Sequence, residues 1–444
     1  MILSDYLNGI IDNRGKNPNR YFDKEKYPVI DNFLIKNELH PNIEQATRYI
    51  DEETYRDFLR GYVYTDMVIM TLVGNGIGNV TTILDSNSVI IQNTIGFNVN
   101  KKLLNDRFLY YYFCNNSELI RLFDRGSGQP SIKKTDLLNM EVLFPALEIQ
   151  QKIATVLSSL DDKIEINNRI NNNLEQQAQA LFKSWFVDFE PFGGKMPEDW
   201  EKIKLSDIAE FISGYSYKGS ELQTSSCAMA TIKNFERNGG FKLDGFKEII
   251  PSNKLKEKQL VDLFDTLVAH TDLTQNADVI GNAELLLSKK HYNKVILSMD
   301  LVRVLPKYGI SKFLLAGILK NKIFKTHCLG YINGTTVLHL SKQALPEYEI
   351  PFPKKISTVK VLSESLEFIY KKLSFNIIEN ERLAQLRDTL LPKLMSGEID
   401  VSNVNISTDK LSFSGCKYFV RYLLFFFRKI SLFSFSAPSL WPVC

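Results

Sequence analysis

The sequence predicts an α+β protein: two pseudo-repeated globular units separated by two long antiparallel coiled-coil helices. Three observations carry this. A segment of about twenty residues occurs twice, each copy is followed by a long heptad-patterned stretch, and 444 residues exceed one ordinary core.

The duplicated segments are GSGQPSIKKTDLLNMEVLFP, from Gly126 to Pro145, and GTTVLHLSKQALPEYEIPFP, from Gly334 to Pro353. They align without a gap and share Gly126/Gly334, Lys134/Lys342, Leu137/Leu345, Glu141/Glu349, Phe144/Phe352 and Pro145/Pro353. Each closes on a short apolar strand that proline terminates. Upstream the likeness is weaker. Leu3-Ser4-Asp5 matches Leu205-Ser206-Asp207, and Thr65–Asn79 resembles Phe264–Asn282 as an acidic turn, a buried strand and a polar loop.

The first helix carries Ile153, Leu157, Leu160, Ile164, Asn167, Asn171, Leu174, Ala178, Leu181 and Trp185 at alternating steps of four and three. The second carries Leu362, Leu366, Ile369, Leu373, Asn376, Asn380, Leu383, Arg387, Leu390 and Leu394 in the same register. That period is a seam that must be buried, most simply against the other helix. The asparagines lie near the middle of each seam. An antiparallel pair therefore sets Asn167 near Asn380 and Asn171 near Asn376, a polar layer that fixes register. In the alternative, Ile166 and Ile170 carry the seam and the asparagines are solvated.

The expected divisions are 1–146 and 191–353 for the globular units, 147–190 and 354–400 for the helices, and 401–444 for a Phe-rich tail. Tyr418 to Phe435 is apolar but interrupted by Arg421, Arg428 and Lys429, so no membrane span is expected. The N-terminus has no apolar signal core. Net charge is +3, which neither demands nor excludes nucleic acid. Five scattered cysteines without a CxxC pair argue against a zinc ribbon or disulfide framework and fit a reducing cytoplasm.

Catalytic signatures are absent from the sequence. There is no GxxxxGK[ST] phosphate loop and no [ND]PP[YF] tetrapeptide for a flipped base. Gly74, Gly76 and Gly78 precede a strand-favouring run and read as a hairpin turn. Asp161-Asp162-Lys163 has a nuclease-like spacing, but a heptad helix makes it a solvated face. His40, His270, His291, His327 and His339 lack ligand spacing, and no metal or cofactor is expected.

The first repeat with its helix, GQPSIKKTDLLNMEVLFP through EIQQKIATVLSSLDDKIEINNRINNNLEQQAQALFKSWFVDFEPF, resembles the central conserved region of type I restriction–modification specificity subunits. ENERLAQLRDTLLPKLMSGEI, from Glu379 to Ile399, resembles their distal conserved region. The resemblance covers nearly all of residues 1–400. It implies two target-recognition domains that read double-stranded DNA, joined by two antiparallel helices. It also implies two modification subunits carrying the methyl-transfer chemistry and restriction subunits carrying ATP-driven translocation and cleavage. Two departures stand out. The second unit opens with Met196–Lys204 ahead of Leu205, a strand the first is expected to lack, and the tail beyond Ile399 has no family likeness; a shifted gene end would explain both.

A helix from Ile153 to Trp185 spans roughly 50 Å. Major-groove faces on one side of a duplex recur every ~34 Å, so two readers at fixed spacing suit one DNA. Recognition needs hydrogen-bonding side chains for base edges and basic ones for phosphates. In the first unit the candidates are Arg14, Lys16, Asn17, Asn75, Gln92, Asn93, Gln129, Lys133 and Lys134. In the second they are Tyr215, Lys218, Lys233, Asn234, Thr271, Thr274, Gln275, Asn276 and Thr336. Two other readings remain: a self-contained restriction–methylation enzyme, which needs catalytic motifs in cis, and a coiled-coil adaptor, which leaves the globular units unexplained.

Overall fold

The computed structural model describes residues 1–15, 18–274, 276–307 and 309–404. Lys16, Asn17, Gln275 and the tail beyond residue 404 lie outside the described residues. The described residues form two compact units, 1–159 with 388–404, and Leu160–Arg387. The long helices are Leu147–Phe186 and Lys360–Met395, and the boundary between units falls inside each of them rather than at its ends.

The first unit holds an antiparallel four-stranded sheet in the order Leu7–Ile11, Thr94–Val99, Val68–Thr71, Val80–Thr82. The second holds a sheet of the same order: Ala209–Ser213, Leu301–Pro306, Thr266–Ala269, Ala283–Leu285. The duplication thus extends through the weakly similar upstream halves. After the last strand each unit turns into a short helix capped by a polar side chain. Asn105 accepts from the Phe108 N–H in one, and Ser311 from the Phe313 N–H in the other.

Divergence collects between the first and second strands of each sheet. There the first unit inserts the small pair Tyr27–Pro28 and Tyr49–Ile50, while the second inserts Cys227–Ala230, Lys247–Glu248 and Leu260–Val261, which form a further sheet with Lys294–Leu297, a strand that precedes Leu301–Pro306. Gly74, Gly76 and Gly78 all have positive φ and lie between the antiparallel strands Val68–Thr71 and Val80–Thr82, which a turn there requires.

Behind the second repeat, Trp200–Lys204 pairs with Glu349–Pro353 over five residues, and Trp200 packs on Phe186, Phe189 and Phe192. In the first unit the equivalent pairing is only the Ile2–Glu141 bridge, with Leu3 N–H to Met140 O and Val142 N–H to Met1 O, both 2.9 Å. Leu143, beyond that bridge, is 94% exposed.

Within the second unit the two long helices run antiparallel, and their polar layer is closed by hydrogen bonds. Asn167 donates to Asn380 Oδ1 at 2.8 Å and to Glu379 Oε2 at 2.7 Å, and Asn376 donates to Asn171 Oδ1 at 2.8 Å. Asn167 and Asn376 are each 1% exposed, whereas Ile166 and Ile170 are each 36% exposed. Asp161 is not on a solvated face. It is buried, and Arg387 reaches it at 2.6 Å, so the nuclease-like spacing is spent on an inter-helix ion pair.

Candidate nucleic-acid interface

Each unit brings the same two loops side by side at the end of its sheet. In the first unit the loop leaving Val68–Thr71 meets the loop of the first repeat. Val73 bridges Ser131, and Gly74 N–H donates to Pro130 O at 2.9 Å. Gly74 is required here: a Cβ would stand 3.2 Å from Gln129 Nε2, and its φ is +91°. Asn75 and Gln129 are exposed on these adjoining loops. Asn93 joins the group through its carbonyl, which accepts from Leu72 N–H at 2.7 Å. The repeat loop is held by Asp124, whose carboxylate accepts from Ser131 N–H at 2.8 Å and Gly126 N–H at 2.9 Å. Those two bonds hold its carboxyl below the usual range.

A basic group lies around Asp12. Arg14 binds it at 2.9 Å and Lys134 at 3.1 Å. The hydrogen bond from Arg14 outweighs burial and, with Lys134, holds the Asp12 carboxyl far below its ordinary range. Two cations on one carboxylate leave a local positive excess, and Lys133 beside them is exposed. Gln92 has left-handed backbone and accepts from Arg48 at 3.2 Å.

In the second unit the corresponding loops leave Thr271–Asp272 and enter Leu338–Leu340, which pair antiparallel. Thr271, Thr274 and Asn276 belong to the first of these loops and Thr336 to the second, and the half-buried Thr274 donates its hydroxyl to Asp272 at 2.8 Å. Thr336 and Asn276 are exposed, while Thr271 is buried and donates to Asp300 at 3.2 Å. Lys218 and Lys233 are exposed on other loops. Tyr215 and Asn234 are buried, with polar atoms already used. The Tyr215 hydroxyl meets both Glu221 oxygens at 3.1 Å and Ser252 Oγ at 2.9 Å. Asn234 accepts from Thr231 N–H at 2.8 Å and donates to Lys242 O at 2.7 Å. These two side chains shape loops rather than face solvent.

Asp12, Asp124, Asp272 and Lys325 organise these loops and were not singled out from sequence. The signal available for the three aspartates was the Asp-x-residue pattern at Asp12, Asp124 and Asp272, since an aspartate commonly accepts from the backbone two residues on. Among the described residues no group of His, Cys, Asp or Glu could hold a metal ion, and no helix is long and apolar enough to cross a membrane.

A family model described as the type I restriction modification DNA specificity domain matches residues 10–176. The chain is 26% identical over 365 residues to the type I restriction enzyme HindI specificity subunit of Haemophilus influenzae, covering 68% of this chain and 79% of that protein. It is 27% identical over 318 residues to the MjaIX specificity subunit of Methanocaldococcus jannaschii, covering 67% and 70%. The crystal structure of a type I restriction–modification S subunit from M. genitalium superposes with a TM-score of 0.57 at 16% identity, over 89% of this chain and 95% of that one. At that identity the likeness is one of fold.

Proposed function

We propose that the chain is a type I restriction–modification specificity subunit, supplying DNA specificity while partner subunits carry the catalysis, and that it reads a bipartite double-stranded DNA target, one half with each unit. The observation that carries this is the recurrence of one two-loop arrangement, the loop of Asn75 beside that of Gln129 and the loop leaving Thr271–Asp272 beside that entering Leu338–Leu340, on two sheets of identical strand order. One loop pair gives one short recognition patch. Two related pairs with different side chains give two unlike patches. In this reading the exposed Lys133, Lys218 and Lys233, with Arg14 and Lys134 around Asp12, meet phosphates, so affinity falls with salt whatever the sequence.

The partners in this reading are two modification subunits and the restriction subunits, in the cytoplasm where the DNA is. Val361, Phe368 and Phe375 support a partner against the helices: they recur every seven residues on the second long helix and all three are exposed. Methylome sequencing of the host with and without the gene tests the function. A bipartite methylated motif disappears with the gene if the reading is right; an unchanged methylome overturns it. The purified chain alone is expected to show no methyl transfer, ATPase or nuclease activity.

The asparagine layer, in the same reading, sets the register of a coiled-coil pair. Replacing only Asn167 with Leu removes the donor to Asn380 Oδ1 and one of the two partners of Glu379, and costs about 1–3 kcal/mol. Replacing Asn167, Asn171, Asn376 and Asn380 together with Leu raises the melting temperature, because apolar seam residues pack without amide desolvation, and relaxes the register. Circular dichroism melts of the single and quadruple variants distinguish these outcomes; a fall in the quadruple variant removes the argument.

A further inference from the structure

Leu273 is an apolar side chain, 68% exposed, on a loop whose backbone is clamped from both sides. Asp272, only 2% exposed, takes the N–H groups. Its Oδ1 accepts from the Thr274 N–H and hydroxyl, both at 2.8 Å, and its Oδ2 from Val279 N–H at 2.6 Å and Ile280 N–H at 3.0 Å. Lys325, reaching across from the helix Lys322–Leu329, takes the carbonyls. Its ammonium donates to Ala277 O at 3.0 Å, to Asp278 O at 3.3 Å and to Ile280 O. Burial pushes the Asp272 carboxyl up, but the four donors outweigh it and keep the group charged. Between the clamps Ala277 sits at φ +55°, a left-handed conformation that a non-glycine residue adopts only under constraint.

A buried carboxylate and a lysine thus hold the described residues on either side of position 275, and Leu273 is presented to water. Fixing the loop beforehand removes an ordering cost at binding. Leu273 shares its loop with the exposed Asn276, and the exposed Thr336 lies on the loop that enters the paired strand Leu338–Leu340; these two side chains offer hydrogen bonds to base edges, while the Thr274 hydroxyl is taken by Asp272. On those edges in the major groove the one apolar feature is the thymine C5-methyl. The strand-exit position corresponding to Leu273 in the first unit, one residue past Gly74 as Leu273 is one past Asp272, is the polar Asn75.

Resting on the DNA-reading function above, we propose that Leu273 reads a thymine C5-methyl group in the second half of the target, with Asp272 and Lys325 as positioning residues. The first half, met by Asn75 and Gln129, is read through amides and lacks this dependence on a methyl contact.

The test uses the complex assembled with its modification subunits and duplexes carrying the motif found by methylome sequencing. Each thymine of the second half is replaced in turn by deoxyuridine, which lacks only the methyl. One replacement weakens wild-type binding about fourfold, the value of one buried methyl group. Leu273→Ser, at an exposed position, keeps the melting temperature, loses sensitivity to that replacement and still discriminates bases in the first half. Leu273→Met restores the sensitivity. Lys325→Met loses discrimination in the second half alone. Wild-type binding indifferent to every deoxyuridine, or a Leu273→Ser variant with undiminished sensitivity, overturns the assignment while leaving the two-reader function standing. Absence of any bipartite motif overturns the function itself.

Discussion

Exchanging residues 1–146 for the corresponding unit of a relative changes one half of the DNA target and leaves the other half and the spacer as they were. Each unit carries its own sheet, its own loop pair and its own core. Ile30, Met67, Ile69 and Ile83 are buried in the first, and Val268, Leu285, Val304 and Leu314 in the second. Recognition loops of one unit therefore keep their shape when the other is replaced. In the two-reader reading, spacer length is expected to follow helix length. Removing or adding whole heptads in both helices moves the half-sites apart or together without disturbing the seam, since the pattern repeats every seven residues. Methylome mapping of the swapped and heptad-altered proteins gives the answer directly. A swap that altered both halves, or a single uninterrupted motif, would defeat the two-reader model.

Asp265→Ala lowers the stability of the second unit by about 3–5 kcal/mol, because it strips a buried cation of its partner. Asp265 is fully buried. It pairs with Arg303 at 2.5 Å and Lys312 at 2.6 Å, and accepts from Asp262 N–H at 2.8 Å. Arg303, itself buried, also donates to Lys258 O at 3.0 Å and Leu260 O at 2.6 Å, so it cannot swing out to water without abandoning those carbonyls. The comparison is Asp66→Ala in the first unit. Asp66 meets Arg107 at 3.2 Å with both side chains partly exposed, and such pairs are worth at most about 1 kcal/mol. Urea denaturation of the two variants measures the contrast. Equal losses would show that burial of the Asp265 network does not set its contribution.

Helix pairing was legible because a seam writes itself into sequence. Alternating steps of four and three mark a seam, and the mid-seam asparagines suggested its antiparallel pairing; the contacts Asn167–Asn380 and Asn171–Asn376 occur in the structure. The globular halves were legible only in part. Their common strand order is hidden by insertions between strands, and matching letters mislead. Asp66 and Asp265 align as acidic turns, yet the left-handed turn residues are Asp66 and Phe264, with φ of 68° and 67°. Backbone conformation, not side-chain identity, is what the two units share there. Asp161 looked solvated because its partner, Arg387, is far away in sequence. Tyr215 and Asn234 looked like readers because a polar loop residue has the same letter whether it binds DNA or its own backbone.

The strand that ends the first repeat also bears on how the protein behaves in a tube. Glu349–Pro353 is covered along its length by Trp200–Lys204. Its counterpart alternates exposed Glu141, Leu143 and Pro145 with buried Val142 and Phe144, and beyond the Ile2–Glu141 bridge no strand among the described residues covers it. Open backbone donors and acceptors beside an exposed leucine are a template for a neighbouring molecule. Concentrated solutions of the isolated chain therefore self-associate edge to edge, with turbidity that rises with protein concentration. A charged residue at position 143 is the gatekeeper that keeps such preparations clear.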